Sequence, residues 1–290
     1  MRFMLAGDAN VGPLLNCLLM PLARQPSAQT TYLWPSGGVH RWPSGGVSRS
    51  QSHRRGHLVY AARGVLAVDT GAGKSIVPTN RIAWTPAGIT HQHRAHGDTD
   101  MRIIFLPDAL AAQLPDHPAV LAVDDLAREA ILTLTGPRNY DPQLRSRHSA
   151  ALGRLERVLV DELQLVHARA LQLPNPQDSR LRALARELTV NPACNLSLDD
   201  LGRTIGASSR TLSRLLRAEF GMTYYEWRTQ IRIYRALVLL AEGHDVTYTA
   251  HACGWSNPSS FITAFTNVLG TSPGRYRSTH RPNVVIHGPA

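Results

Sequence analysis

Apolar positions along this chain follow two different rules. Between residues 57 and 106 they come in short β-rich runs. His57-Leu-Val-Tyr-Ala-Ala62 is followed by Gly64-Val-Leu-Ala-Val-Asp-Thr70, a turn over Gly71 to Lys74, and Ser75-Ile-Val77. Arg81-Ile-Ala-Trp84 and Met101-Arg-Ile-Ile-Phe-Leu106 add two more such runs. Strands of this length separated by Gly and Pro turns predict a sandwich or barrel. After Pro107 the period lengthens, and residues 108–115 and 118–135 read as helices. Residues 143–172 carry Leu144, Leu152, Leu155, Leu159 and Leu163 at helical spacing with charges between them. Such a helix serves either dimerisation or packing on its own domain. Leu173-Pro-Asn-Pro176 then breaks the pattern as a linker, and Asp178 can cap a helix over about residues 179–190.

From Leu196 onward the helical signals sharpen. Ser197 and Asp200 form an acidic variant of the capping box, and Leu198, Leu201 and Ile205 share one face. Gly206-Ala-Ser208 is a turn, and a second helix runs through Phe220. On it Leu212, Leu215, Leu216 and Phe220 point one way, while Arg210, Ser213, Arg214 and Arg217 share the opposite face. Two short helices across a tight turn make a helix-turn-helix, and an arginine face on the second suits the major groove. A solvated basic stripe on an ordinary helical hairpin is the competing reading.

The pattern then repeats. Residues 246–253 form a short apolar helix, Gly254-Trp-Ser256 a turn, and residues 258–269 a second helix. Asn257 can cap that helix and Pro258 fits its first turn. Its outer face would carry Ser259, Ser260, Thr263 and Thr266, with no arginine anywhere on it. Residues 225–241, free of Gly and Pro, form a connecting helix of about 25 Å. That length can hold two recognition helices near the roughly 34 Å major-groove repeat.

Composition adds only a little. The chain has 290 residues, enough for two domains, and carries a formal charge of +10. A basic balance favours polyanions, with nucleic acid first and anionic membrane second. The charge does not mark a site, because residues 178–290 hold 13 Arg against 8 Asp plus Glu, a net +5, and the other +5 lies upstream. Three widely spaced cysteines without a CxxC pair suggest neither a zinc knuckle nor a disulfide framework and fit a reducing cytoplasm. No run of 18 apolar residues is present, so no membrane span is expected. Residues 14–23 are apolar after Arg2, but Asn16 and Pro21 interrupt them as a secretion signal. Residues 1–52 include Trp34-Pro-Ser-Gly-Gly-Val39, repeated unchanged as Trp42-Pro-Ser-Gly-Gly-Val47, and read as a loop or poorly ordered segment.

Residues 179–277 resemble the DNA-binding domain of the AraC/XylS family. The resemblance rests on Leu198-Asp-Asp-Leu-Gly, Ser208-Ser-Arg-Thr-Leu-Ser-Arg-Leu-Leu-Arg217, Phe220-Gly-Met-Thr223, Trp227-Arg228, Arg232 and Ala236-Leu237. It continues through Val246-Thr247, Gly254-Trp-Ser-Asn-Pro-Ser-Ser-Phe261, Phe265, Gly270-Thr-Ser-Pro273 and Tyr276-Arg277. It implies paired helix-turn-helix units reading adjacent major grooves. Family members often carry basic residues after the phenylalanine at 265, where this chain has Thr266 and Asn267.

Residues 53–106 resemble the cupin barrel of one AraC subfamily. Pro86-Ala-Gly-Ile-Thr-His91 looks like the second cupin motif, His53 stands where a first-motif histidine could lie, and His93 and His96 are nearby. A metal cupin usually offers a His-x-His pair and a glutamate. Here the first-motif segment Ser52-His-Arg-Arg-Gly-His57 lacks the pair, and no Glu lies between residues 53 and 100. The expectation is therefore a pocket for a small effector lined by His53, His91 and His93, with no metal or other cofactor. Histidines that merely hydrogen-bond within the barrel are the alternative. Gly71-Ala-Gly-Lys-Ser75 lacks phosphate-loop spacing, and no GxSxG or HExxH occurs, so no enzyme is expected.

The expected fold is α+β: a poorly ordered segment over 1–52, a cupin-like β-barrel over 53–107, and a helical connection over 108–177. An all-α double helix-turn-helix domain over 178–280 and a tail over 281–290 complete it. The expected function is sequence-specific DNA binding in transcription, under a small-molecule effector, in the bacterial cytoplasm. The DNA contacts would come from Arg210, Ser213, Arg214, Arg217, Asn257, Ser259, Ser260 and Thr263. Double-stranded DNA and the effector are the expected partners, with a second copy of the chain and RNA polymerase as further candidates and no membrane. A metal-dependent cupin enzyme fused to a DNA-binding domain, and a constitutive regulator with a vestigial barrel, are the alternatives.

Overall fold

The computed structural model describes residues 30–34, 37–71, 73–165 and 172–278. The apolar stretch at 14–23, the first Trp-Pro-Ser-Gly-Gly-Val copy in part, and the tail at 281–290 lie outside them. Eight strands between residues 30 and 174 form one antiparallel sheet: β1 Thr30–Trp34, β2 Gly37–Trp42, β3 His57–Thr70, β4 Gly73–Val77, β5 Arg81–Thr85, β6 His91–Phe105, β7 Ala119–Ala122 and β8 Gln172–Pro174. The main path runs β1-β2-β6-β3-β4-β8, with β5 joining β3 to β7.

Three expectations change here. The segment from residue 37 to 52 is part of the sheet. Gly37–Trp42 pairs with β6, and Val47 and Gln51 make isolated bridges to Arg94 and His91. Glycine-rich composition opposed this reading, but the partner strand β6 supplies the pairing that local propensity does not. Second, residues 119–122 form an edge strand, not the start of a helix, because Val120 belongs to the sheet interior. Third, the breaker at 173–176 is not a free linker: Gln172–Pro174 pairs with β4 before Asp178 starts the next helix.

The sheet curls strongly but its hydrogen-bonded path does not close into a ring. His57 pairs with Phe105 at one end of the β3/β6 ladder, and His91 pairs with Thr70 at the other. A straight 14-residue strand would hold these ends about 45 Å apart. The His57 and His91 rings are instead 4.7 Å apart, so the ladder winds back on itself.

Irregular pairing between Ala61 and Val65 helps to organise the layers. Before it, Val59 and Ala61 face the inside of the curl and Leu58 and Tyr60 face outward. After it, Leu66 and Val68 face inside, while Val65 and Ala67 face outward. The two expected runs are thus one strand whose alternation is shifted by one residue at a bulge. The first outward patch is covered by α2 Asp125–Leu134 and α4 Ser149–Leu165. The second outward patch is covered by the C-terminal domain.

Helix α1 Asp108–Ala111 precedes β7, and the single long helix expected over 143–172 divides into α3 Pro142–Arg147 and α4. Leu159 and Leu163 are fully buried against the sheet and Leu152 and Leu155 are partly so. The leucine stripe therefore packs on its own domain, the second of its two readings.

The C-terminal half is helical: α5 Ser179–Val190, α6 Leu198–Ile205, α7 Ser209–Phe220, α8 Tyr224–Ala241, α9 Val246–Ala252, α10 Pro258–Leu269 and α11 Pro273–Ser278. Every start from α5 to α10 carries a side-chain cap, from Asp178, Ser197, Ser208, Thr223, Asp245 and Asn257. Ser197 with Asp200, and Thr223 with Glu226, make complete capping boxes. Removing one such cap typically costs about 1 kcal/mol, so the sequence fixes these boundaries locally.

Candidate nucleic-acid interface and histidine cluster

In the first unit, α6 and α7 meet across Gly206, whose positive φ of 77° ends α6. Gly202 permits the sharp crossing: a Cβ there would lie 2.3 Å from the Ala207 carbonyl oxygen. Leu212 and Leu216 bury one side of α7 in a cluster with Leu181, Leu184, Leu188, Leu201 and Trp227. The opposite side presents Arg210, Ser213, Arg214 and Arg217, all exposed. Among the described residues none of the three guanidinium groups makes a hydrogen bond or ion pair, so all five donors of each remain available.

In the second unit, Phe261, Phe265 and Leu269 bury one side of α10. Asn257, Ser259, Ser260 and Thr263 are exposed on it. Two of these groups are already engaged. The Asn257 side-chain carbonyl accepts from the Ser260 amide at 2.8 Å, and Thr263 Oγ1 donates to the Ser259 carbonyl at 3.1 Å. Thr266, also expected on this face, is half-buried.

A buried arginine, quoted above only as part of the resemblance, joins the units. Arg232 on α8 donates from Nε to the Pro192 carbonyl, and from Nη2 to the Cys194 carbonyl and Asn195 Oδ1, each at 2.9 Å. It also lies over the Trp255 ring. Gly254 makes room for this contact, because a Cβ there would come within 2.7 Å of both Ala193 Cα and Arg232 Nη2. Burial pulls the Arg232 pKa below its usual value, but three close acceptors keep the cation satisfied.

The sheet docks on the second unit. Val65, Ala67 and Ile76 share a core with Ile233, Leu237, Phe261, Phe265 and Leu269. Asn80 Nδ2 at 2.9 Å and Arg81 Nη2 at 3.3 Å both donate to the carbonyl of Leu269, the last residue of α10. His96 Nε2 and the Tyr234 hydroxyl form a buried hydrogen bond of 2.7 Å. A cavity of about 250 Å³ follows this seam, lined among others by His96, Pro192, Tyr234, Arg235 and Tyr248.

Inside the curl the structure gathers the expected His53, His91 and His93, and adds His57. Ring centroids are 4.8 Å apart for His53 and His57, 5.2 Å for His53 and His91, 4.7 Å for His57 and His91, and 4.9 Å for His91 and His93. Phe105 closes one side, 5.1 Å from His53. The carrier loop is held by Arg55, which donates to the carbonyls of Leu106 and Phe105, and by the amide of Gly88 on the His53 carbonyl. His57, His91 and His93 are each 1% exposed. Burial, then neighbouring imidazoles, pushes His57 down to about 2 and His93 to about 3, so these rings are neutral lone-pair donors. His57 escaped the sequence reading because it is not in a His-x-His pair. Its signal was present as the second imidazole of Ser52-His-Arg-Arg-Gly-His57. His96, grouped with these rings by sequence proximity, points outward to Tyr234 instead.

A curled sheet domain fused to two capped helix-turn-helix units, one bearing a free arginine face, defines a DNA-binding regulator. The helix-turn-helix domain family matches residues 201–279. The regulator NimR of Escherichia coli strain K12 is 30% identical over 227 residues, covering 77% of this chain and 80% of NimR. The regulator RipA of Corynebacterium glutamicum is 28% identical over 181 residues, covering 60% of this chain and 54% of RipA. Among solved structures, ToxT from Vibrio cholerae aligns over 86% of this chain and 99% of its own, at 11% identity and a TM-score of 0.37. The chain belongs to the AraC/XylS family of helix-turn-helix transcriptional regulators. Among the described residues, no helix is long and apolar enough to cross a membrane.

Proposed function

We propose that this regulator grips its operator chiefly through α7 and uses α10 as a weaker, regulated second contact. The observation that carries the reading is the free arginine face: Arg210, Arg214 and Arg217 are exposed and unengaged, with Ser213 between them. Arginine pairs bidentately with guanine edges and phosphates. Ser259 and Ser260, with Asn257 and Thr263 beside them, offer only neutral contacts from the second helix. An effector bound in the histidine-lined interior, at His53, His91 and His93, would change how the sheet seats on α8 and α10, shifting an equilibrium between docked arrangements. A second copy of the chain and RNA polymerase complete the proposed partners, and the cytoplasm is the proposed setting. The titration of labelled operator DNA with Arg214→Ala and Thr263→Ala variants tests the reading. Arg214→Ala is expected to weaken binding far more, and equal losses would overturn it.

A further inference from the structure

We propose that His53, His57 and His91 hold a divalent transition-metal ion inside the curled sheet. This deepens the effector reading, because it places an ion in the chamber assigned there to the effector. Three observations converge. One imidazole nitrogen from each of these residues lies within 4.8 Å of the other two. Ligands on one ion, each about 2.0–2.1 Å from it, lie within about 4 Å of each other, so modest ring rotation completes the set.

The second observation is the unmet bonding capacity of these rings. Both nitrogens of His57 and the Nε2 of His91 are buried without a hydrogen-bond partner among the described residues. Each such orphan has lost its hydration with nothing in return unless something binds it. Natural interiors rarely carry several together.

The third observation is orientation. His91 Nδ1 lies 3.0 Å from the Ile89 carbonyl. That contact places the proton on Nδ1 and leaves the lone pair on the buried, unpartnered Nε2, the outer-shell arrangement that typically orients a metal-bound imidazole. The backbone of His91 is itself fixed by reciprocal hydrogen bonds with Gln51. His93 lies beside His91 as a third buried imidazole and the fourth ring of the cluster, with both nitrogens also unpartnered.

The donor set selects the class of ion. Three neutral nitrogens and no carboxylate suit zinc, cobalt, nickel or copper, and do not suit calcium or magnesium. The absent glutamate does not exclude a metal. It leaves the ion's charge uncompensated and a coordination position open to water or a small anion.

The test uses the untagged full chain. After chelation and dialysis it is titrated with Co(II), read by its visible d–d absorption, and then with Zn(II) in competition. One equivalent of Co(II) is expected, displaced by one equivalent of Zn(II). His57→Gln and His91→Gln should each weaken binding at least tenfold, while His148→Gln, an exposed control, should not. His53→Gln, at a half-exposed position, tests the same site with little risk to the fold. A far-UV circular dichroism spectrum and a cooperative thermal transition like those of the parent chain confirm that each variant has folded. Absence of a stoichiometric site in the wild-type chain overturns the proposal, as does full affinity in a folded His53→Gln or His91→Gln variant. If the metal site fails but an organic ligand still changes operator affinity, the effector reading survives alone.

Discussion

The two helix-turn-helix units share a plan and differ in what surrounds them. In each, a capped helix and a tight turn precede a 12-residue second helix that ends in a left-handed glycine, Gly221 or Gly270. The core of the first unit is almost wholly its own, with Leu173 as the one contribution from the sheet region. The core of the second is shared with Val65, Ala67 and Ile76 of the sheet, and its last carbonyl is held by Asn80 and Arg81. The unit with free arginines is thus the one the sheet touches least, through Leu173. The neutral unit is the one the sheet grasps. On the function proposed above, affinity and control are separated along α8, and a change in the sheet would reach the DNA first through α10.

The largest expected effect breaks this comparison most directly. Arg214→Ala should lose about 1–3 kcal/mol of operator binding, roughly 5- to 150-fold, and lower the salt slope by about 0.9 if the lost contact is to phosphate. Thr263→Ala should change affinity less than threefold, because its hydroxyl is already bonded to Ser259. Fluorescence titration at two salt concentrations measures both, and losses of the same size would remove the asymmetry.

The next effect concerns what the two units share. Arg232→Met removes three hydrogen bonds from two partly buried carbonyl groups and the Asn195 side chain. Breaking one side of such a network costs about 3 kcal/mol, seen as a lower thermal midpoint. A loss below about 1 kcal/mol would mean that the units are held together elsewhere.

Much of this arrangement was legible in the chain. Ser197, Asp200, Asn257 and Pro258 announce helix starts through short-range hydrogen bonds, so the helix-turn-helix boundaries followed from local chemistry. The strand Gly37–Trp42 was not legible, since its reason is the distant partner β6. Nor was the fourth imidazole. His57 joins His91 only because a ladder of 14 residues winds round, which no spacing rule reports. The docking of the sheet on α10 was invisible for the same reason: Asn80 and Leu269 are 189 residues apart.

A smaller effect appears with pH. His96 is pushed down to about 3 by burial at the seam, with the cations Arg94, Lys74 and Arg235 adding to it. Its ordinary value is 6.5, so the folded state binds fewer protons than the unfolded one. The stability it contributes is complete above about 6.5 and is lost progressively as pH falls toward 3. His57 and His93 act in the same direction. The thermal midpoint should therefore drop steadily below pH 6.5, and His96→Gln should flatten that fall. An unchanged slope in His96→Gln would place the acid sensitivity in the interior imidazoles and not at the seam.

The smallest expected effect is the most discriminating. Asn80→Ala removes one of the two donors to the Leu269 carbonyl, while Arg81 keeps the other. A single hydrogen bond of this kind contributes about 1 kcal/mol, so the fold should survive with a slightly lower melting temperature. The bond lies at the C-terminal end of α10, whereas the long-range hydrogen bonds to α7 among the described residues, from the Gln177 and Asp178 amides to Glu219, come from the segment before α5 and not from the sheet. A DNA duplex carrying only the first unit's half-site should bind Asn80→Ala and the parent chain alike. A duplex carrying both half-sites should show a two- to fivefold difference, because only there does the seating of α10 matter. Equal changes on both duplexes would mean that the sheet acts on the whole DNA-binding domain as one body, and the separation of grip from control along α8 would fall.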